Sequence, residues 1–208
     1  MPHVTSPAPA ASAATRDRLL DAAAALFYRE GVGVGVQTLC RAAGVSKRSM
    51  YQLFASKDEV MAASLDRIAP SYAATLIPSD QDHRPPRARI LHVFERLEDQ
   101  AASSGYRGCP FVAAAVEVKT PEHPASLVAR THKNALTAFF QTEAERGGAA
   151  QPAVLAQQLT IVFDGASVRA VLQADALHGI AVATATALLD HAGLTAPTPP
   201  PGPHHGET

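Results

Sequence analysis

The chain has 208 residues, is 47% hydrophobic and carries a formal net charge of -1. That length holds one good core, or a small module on a larger one. A charge so near zero excludes a polycation, so any nucleic-acid contact must come from a local patch. The two cysteines, Cys40 and Cys109, form no C-x-x-C pair, which argues against a zinc module or a disulfide framework. The N-terminus lacks a basic start followed by an apolar run, and no apolar run reaches the roughly 18 residues of a membrane span. A cytoplasmic protein with no membrane partner is expected.

In chain order, residues 1–14 are rich in Ala, Pro and Ser and are expected to form a mobile tail. Leu19, Leu20, Ala23, Leu26 and Phe27 then recur at helical spacing, and that helix ends before Gly31. Two short helices follow, Val36–Ala43 and Lys47–Leu53. Ser56-Lys57-Asp58-Glu59 has the form of a capping box, with Ser56 as N-cap and Glu59 reaching back. It opens a helix through Val60, Leu65 and Ile68 toward Leu76, closed by "IPSDQDHRPP". Residues 87–103 place Ile90, Leu91, Phe94 and Leu97 on one face, and 105–108 break that helix. Further helices are read at 111–119, 124–146, 152–173 and 176–192. Beyond Thr195, "APTPPPGPHHGET" cannot be helical, because its prolines lack donors and clash with the preceding turn. His204 and His205 in that tail read as solvated side chains. No stretch sustains a period of two, so no sheet is expected.

The stretch "VQTLCRAAGVSKRSMYQLF" carries the most information. Its two short helical patterns hinge on Ala43-Gly44-Val45-Ser46. Gly44 supplies the positive φ that a helix-turn-helix corner needs, and Ser46 can cap the second helix. Lys47, Arg48 and Ser49 fill that helix's first turn and would meet base edges and phosphates first in a major groove. Leu39, Ala42, Val45, Met50 and Phe54 take core-like positions. From Gly31 to Lys57 the charged residues are Arg41, Lys47, Arg48 and Lys57, with no Asp or Glu among them. The competing reading of this patch is a solvated basic face.

The residues "LLDAAAALFYREG" followed by "LCRAAGVSKRSMYQLFASKDEV" resemble the N-terminal domain of the TetR family of transcriptional regulators. The Ala43-Gly44-Val45-Ser46 turn, Tyr51, Phe54 and Lys57 match the family's turn, recognition-helix tyrosine, aromatic core residue and following lysine. The resemblance implies that Gln37, Lys47, Arg48 and Ser49 face bases. It implies phosphate contacts for Thr38, Tyr51, Gln52 and Lys57, while Phe54 is assigned to the core. The sequence departs from the family pattern at Val36, where a threonine is usual, and at Cys40. "GVGVGV" before the motif is unusually rich in glycine and suggests a loosened approach. Farther on, "GYRGCPFVAAAVE" and "HPASLVARTHKNAL" resemble the C-terminal domain of a subgroup that includes regulators of multidrug and flavonoid response.

The implied fold is all-α: a tail at 1–14, a three-helix DNA-binding domain at 15–60, a larger helical ligand-binding and dimerisation domain at 61–195, and a tail at 196–208. One motif covers few base pairs, so two copies about a two-fold axis reading a palindromic operator are expected. The last two long helices, rich in Ala, Gly, Val and Thr, are the candidate homodimer surface. In the middle of the chain Phe94, Leu97, Phe111, Phe139, Phe140 and Phe163, with His132 and Asp164, can line a pocket for an unknown small apolar effector. An ordinary hydrophobic core accounts for the same pattern. Cys109 before Pro110 reads either as a redox sensor or as a buried inert thiol.

No H-E-x-x-H, G-x-S-x-G, P-loop or G-x-G-x-x-G occurs. No enzyme, catalytic residue, cofactor or metal is expected. The reading is a ligand-responsive repressor released from double-stranded DNA by its effector. The alternative is a helical small-molecule-binding or scaffolding protein with no DNA role.

Overall fold

In the computed structural model, which describes residues 9–173 and 176–195, every regular element among the described residues is a helix. In order they are α1 (Pro9–Glu30), α2 (Val36–Ala43), α3 (Lys47–Leu53), α4 (Lys57–Leu76), α5 (Pro86–Ala101), α6 (Pro110–Val118), α7 (Pro124–Arg146), α8 (Pro152–Gln173) and α9 (Ile180–His191). Proline sets many of the starts. Pro86, Pro110, Pro124 and Pro152 each open a helix, where the missing N–H costs nothing and the fixed φ is already helical.

Three boundaries differ from the sequence reading by two residues or more. α1 starts at Pro9, inside the stretch read as a tail, because Ala10, Ala11, Ala13 and Ala14 are strong helix formers continuous with the amphipathic run behind them. α5 stops at Ala101 instead of reaching 103. α9 starts at Ile180, because His178 and Gly179 before it take positive φ of 50° and 81° and cannot be helical. Residues 1–8 and the proline-rich tail from 196, with His204 and His205, lie outside the described residues.

Three buried clusters organise the chain. Leu19, Leu20, Ala23 and Leu26 of α1 pack with Leu39 of α2, Met50 of α3, Phe54 and Val60. A middle cluster joins Met61, Leu65 and Ala69 of α4 to Phe111 and Ala114 of α6 and to Ala125 and Ala129 of α7. The largest unites Leu76, Ile90, Phe94, Leu97, Phe140, Leu159, Phe163, Ala185 and Leu189. Val60, Met61, Leu65, Ala69 and Leu76 of α4 therefore enter all three. A boundary drawn at residue 60 falls inside this one continuous helix, which ties the small N-terminal unit to the helical body. Ala42, expected in the core, is exposed, and Ala43 takes the buried place. The 100° step of the short α2 turns Ala43 toward Leu39 and Cys40.

One charged pair sits deep in the largest unit. Arg89 and Glu143 are 5% and 3% exposed, and Arg89 Nε donates to Glu143 Oε1 at 2.9 Å. Arg89 Nη1 also donates to the carbonyls of Ser79 and Asp82, so it pins the loop between α4 and α5.

Candidate nucleic-acid interface and effector cavity

The corner between α2 and α3 is built as a tight turn. Gly44 lies in the left-handed region at φ 64°, ψ 34°, and its N–H and that of Val45 close back onto the carbonyls of Arg41 and Cys40. A side chain at Gly44 would meet open space, so it is the backbone conformation that selects glycine. Ser46 caps α3, its Oγ accepting from Ser49 N at 3.0 Å. Leu39, Cys40, Ala43 and Met50 face inward, and burial pushes the Cys40 thiol pKa up.

On the outer side, Gln37 and Thr38 of α2 and Lys47, Arg48, Tyr51 and Gln52 of α3 are all exposed, as is Arg41. The Tyr51 ring is 53% exposed, which excludes a buried structural role. Phe54 is core, as assigned, and Arg16 lies over its ring at 5.4 Å. Ser49 is half-buried, and its hydroxyl shares a 2.8 Å hydrogen bond with Ser46 Oγ, so it braces the cap behind the cationic face.

Lys57 is placed differently from those six residues. Its ammonium donates to the carbonyls of Val32 at 2.8 Å and Val34 at 3.3 Å. It is turned inward onto the α1–α2 loop and does not stand free on the outer face. From the opposite side Glu117 of α6 accepts from Val32 N at 2.8 Å. The glycine-rich loop is thus held between a cation and an anion and is not loosened. Gly31 bends there at φ 82°, where a Cβ would lie 2.7 Å from Glu117 Oε2. Two further contacts tie the units together: Arg107 N donates to Tyr28 Oη at 2.8 Å, and His123 Nε2 lies 3.4 Å from Asp58 Oδ2. At the start of α4, Ser56 Oγ accepts from Glu59 N, while Glu59 reaches back to Ala55 N, one residue before the expected cap.

In the helical body an apolar cavity of about 50 Å³ lies between α4, α7 and the Phe111 and Phe163 rings. Of the eight residues expected at a pocket, Phe111, His132 and Phe163 line it. Phe94 and Leu97 do not. Both are fully buried, and Phe94 stacks on Phe140 at 5.7 Å. Phe139 turns away to lie under Arg89 at 5.8 Å. Asp164 is paired with Lys133 at 2.5 Å.

Tyr72 and Lys133 also line the cavity, and sequence reasoning missed both. Tyr72 was within reach, since Leu65, Ala69, Tyr72 and Leu76 form one helical stripe. Lys133 was not, because its partner Asp164 stands on another helix. The Tyr72 hydroxyl is buried with no hydrogen-bond partner. Burial, with Cys109 beside it, pushes its pKa up and keeps it a donor. His132 stacks on Phe111 at 4.4 Å between centroids, and burial lowers its pKa, so it favours the neutral ring. Cys109 is a free thiol, 3% exposed. Among the described residues no group of three or more His, Cys, Asp or Glu side chains could hold a metal ion, and no described helix is long and apolar enough to cross a membrane.

The outer side of α8 is apolar. Val154, Ile161 and Val168 are exposed at intervals of seven, with Leu172 beyond them, and Gly165 interrupts the row with nothing within 4 Å of its would-be Cβ. α9 adds Ile180, Ala183, Thr184 and Ala187, all exposed.

A capped helix pair with an acid-free outer face, riding on a helical body with an internal cavity, defines a helix-turn-helix protein with an appended sensor-like domain. A family model described as bacterial regulatory proteins, tetR family, matches residues 19–64. The crystal structure of a TetR transcriptional regulator from Streptomyces avermitilis is 56% identical, covering 87% of this chain and 99% of that one, with a TM-score of 0.85. A TetR-family regulator from Streptomyces coelicolor (TM-score 0.76) and the reduced form of NemR from E. coli (TM-score 0.70) share the fold, each at 23% identity. Each covers 86% of this chain and 96% of its own. No curated protein matches. The chain belongs to the TetR family. It is a DNA-binding transcriptional regulator and not an enzyme, which sets aside the reading of a scaffold with no DNA role.

Proposed function

We propose that this regulator is a repressor that binds a palindromic operator as a homodimer and releases it when a small effector enters the α4–α7 cavity. The observation that carries the reading is the outer face of α2 and α3. Gln37, Thr38, Lys47, Arg48, Tyr51 and Gln52 are exposed together on a corner fixed by Gly44 and Ser46. Lys47 and Arg48 at the start of α3 suit base edges and the phosphates beside them, and Thr38, Tyr51 and Gln52 suit phosphate oxygens. The placement of Ser49 and Lys57 supports positioning roles for them instead of direct contact.

The outward stripe of α8 supports the dimer. Val154, Ile161, Val168 and Leu172 repeat at helical spacing, and Gly165 lets a second helix approach closely. With α9 beside it, the pair suits a four-helix bundle across a two-fold axis. A monomer would leave this apolar strip in water.

Release follows from differential affinity: an effector that favours a wider setting of the two recognition helices shifts the population toward it. α4 lines the cavity with Ala69, Tyr72 and Leu76 and begins beside α3, so a shift of α4 carries the reading heads with it. The repressor acts in the cytoplasm, where its operator is.

Selection of bound duplexes from random DNA tests the reading. Two inverted half-sites at a fixed spacing are expected, and Ile161→Glu should yield a monomer that selects no paired sites. A single unpaired site bound by a monomeric wild type would overturn it.

A further inference from the structure

The α4–α7 cavity is small and apolar, but one wall of it has a second side. Phe111 and Lys133 also line an open groove of about 390 Å³ between α6 and α7. A groove of that volume is in the range of small-molecule sites. Its charged lining is Lys119, Arg130 and Lys133, with no carboxylate among the lining residues. Lys133 is already neutralised by Asp164. Lys119 and Arg130 are exposed, and among the described residues neither stands in an ion pair. One Arg130 nitrogen donates to the Pro121 carbonyl at 3.1 Å, which leaves most of its five N–H donors available.

A second observation points to an oxygen-bearing guest. Ser126 is 7% exposed and lines the same groove, yet its hydroxyl has no hydrogen-bond partner. A buried unpaired hydroxyl is costly, and an acceptor in the groove can satisfy it once the side chains that cover it move aside. The inner cavity offers the opposite chemistry: aromatic walls, the Tyr72 hydroxyl as a donor, and the Lys133 ammonium held by Asp164.

Taking the effector-release reading above as its basis, we propose that the effector is a small planar carboxylate: its anion sits in the groove by Arg130, Lys119 and Ser126, and its apolar ring passes Phe111 into the cavity. The fit is incomplete in the empty protein. A cavity of about 150 Å³ takes a benzene ring, and the inner one is about 50 Å³. The ring therefore enters only if the stacked Phe111 and His132 part. Those side chains stand on α6 and α7, and α6 also carries Glu117, which holds the α1–α2 loop. An anionic anchor thus sets the ligand class, and the ring does the mechanical work.

Calorimetric titration of the full chain with benzoate, cinnamate and 2-naphthoate, each beside its neutral amide, tests this without DNA. At least one acid should bind about tenfold more tightly than its amide, the order given by one partly solvated charge-assisted contact. Arg130→Gln, an exposed change that leaves the core intact, should remove the preference. Amides binding as well as acids, a preference that survives Arg130→Gln, or no acid binding at all would each overturn the proposal. Operator binding of the unliganded protein is measured separately. Its loss would count against the repressor reading, whereas tight acid binding that leaves the operator bound would count against release and not against the ligand class.

Discussion

Lys47→Ala and Lys57→Met remove the same charge ten residues apart, and the structure assigns them different consequences. Lys47 is exposed on the outer face of α3. Lys57 donates to Val32 O and Val34 O. Each phosphate neutralised on duplex DNA contributes about 0.9 to the slope of log affinity against log salt. A dimer loses two such contacts with Lys47→Ala, so the slope should become shallower by about 1.8. Between about 50 and 200 mM salt the variant then loses roughly tenfold less affinity than the wild type. Lys57→Met should leave the slope unchanged. It removes two charge-assisted hydrogen bonds from the loop, worth about 1.5–3 kcal/mol when sheltered. The lower end applies here because Lys57 is only half-buried. Its effect is a fall in unfolding free energy and a loss of operator affinity of constant factor at every salt concentration. Fluorescence anisotropy on a labelled operator across a salt series, with urea unfolding of both variants, reads all of these quantities. If Lys57→Met flattens the slope as much as Lys47→Ala does, the ammonium swings out to a phosphate in the complex and the positioning role is wrong.

Glu117→Ala should speed hydrogen exchange at the Val32 amide and weaken unliganded operator binding about two- to tenfold, the range of one hydrogen bond; unchanged exchange at Val32 would remove the loop clamp. Glu143→Ala strands the Arg89 charge at 5% exposure and should destabilise the fold by about 3–5 kcal/mol in urea unfolding. A paired replacement of both residues by leucine and methionine should recover most of that loss; a single-variant cost under about 1 kcal/mol would show that water reaches the site. His132 has a pKa lowered first by burial and opposed by Asp66, so the unfolded chain takes up its proton at higher pH than the native protein. Its stabilising contribution is complete above the unfolded value of 6.5 and declines as pH falls from there toward the native pKa. Thermal melts from pH 7.5 to 5 should show this decline, and His132→Gln should make it shallower.

The helix-turn-helix was legible in the sequence because its determinants are local. Gly44 is selected by a single backbone angle and Ser46 by a hydroxyl three residues from the N–H it caps. The 3.6-residue rhythm of Leu19, Leu20, Ala23 and Leu26 marks a buried stripe without reference to any other part of the chain. The absence of acids from Gly31 to Lys57 likewise needed no structure to read, and neither did the proline-opened helices α7 and α8. The pocket was not legible in the same way. Phe94, Leu97, Phe111, Phe139 and Phe163 have the same chemistry on paper. Which of them stack into the core and which bound a void depends on how α4, α7 and α8 pack, as does the closure of Lys133 on Asp164. Lys57 makes the point most directly. Its sequence position marks it as a cation beside the reading head, yet its long side chain can reach outward or inward. The inward choice is made by two loop carbonyls brought within reach only when α1, α4 and α6 assemble. Local geometry is encoded in neighbouring residues, whereas the destination of a long charged side chain depends on tertiary contacts.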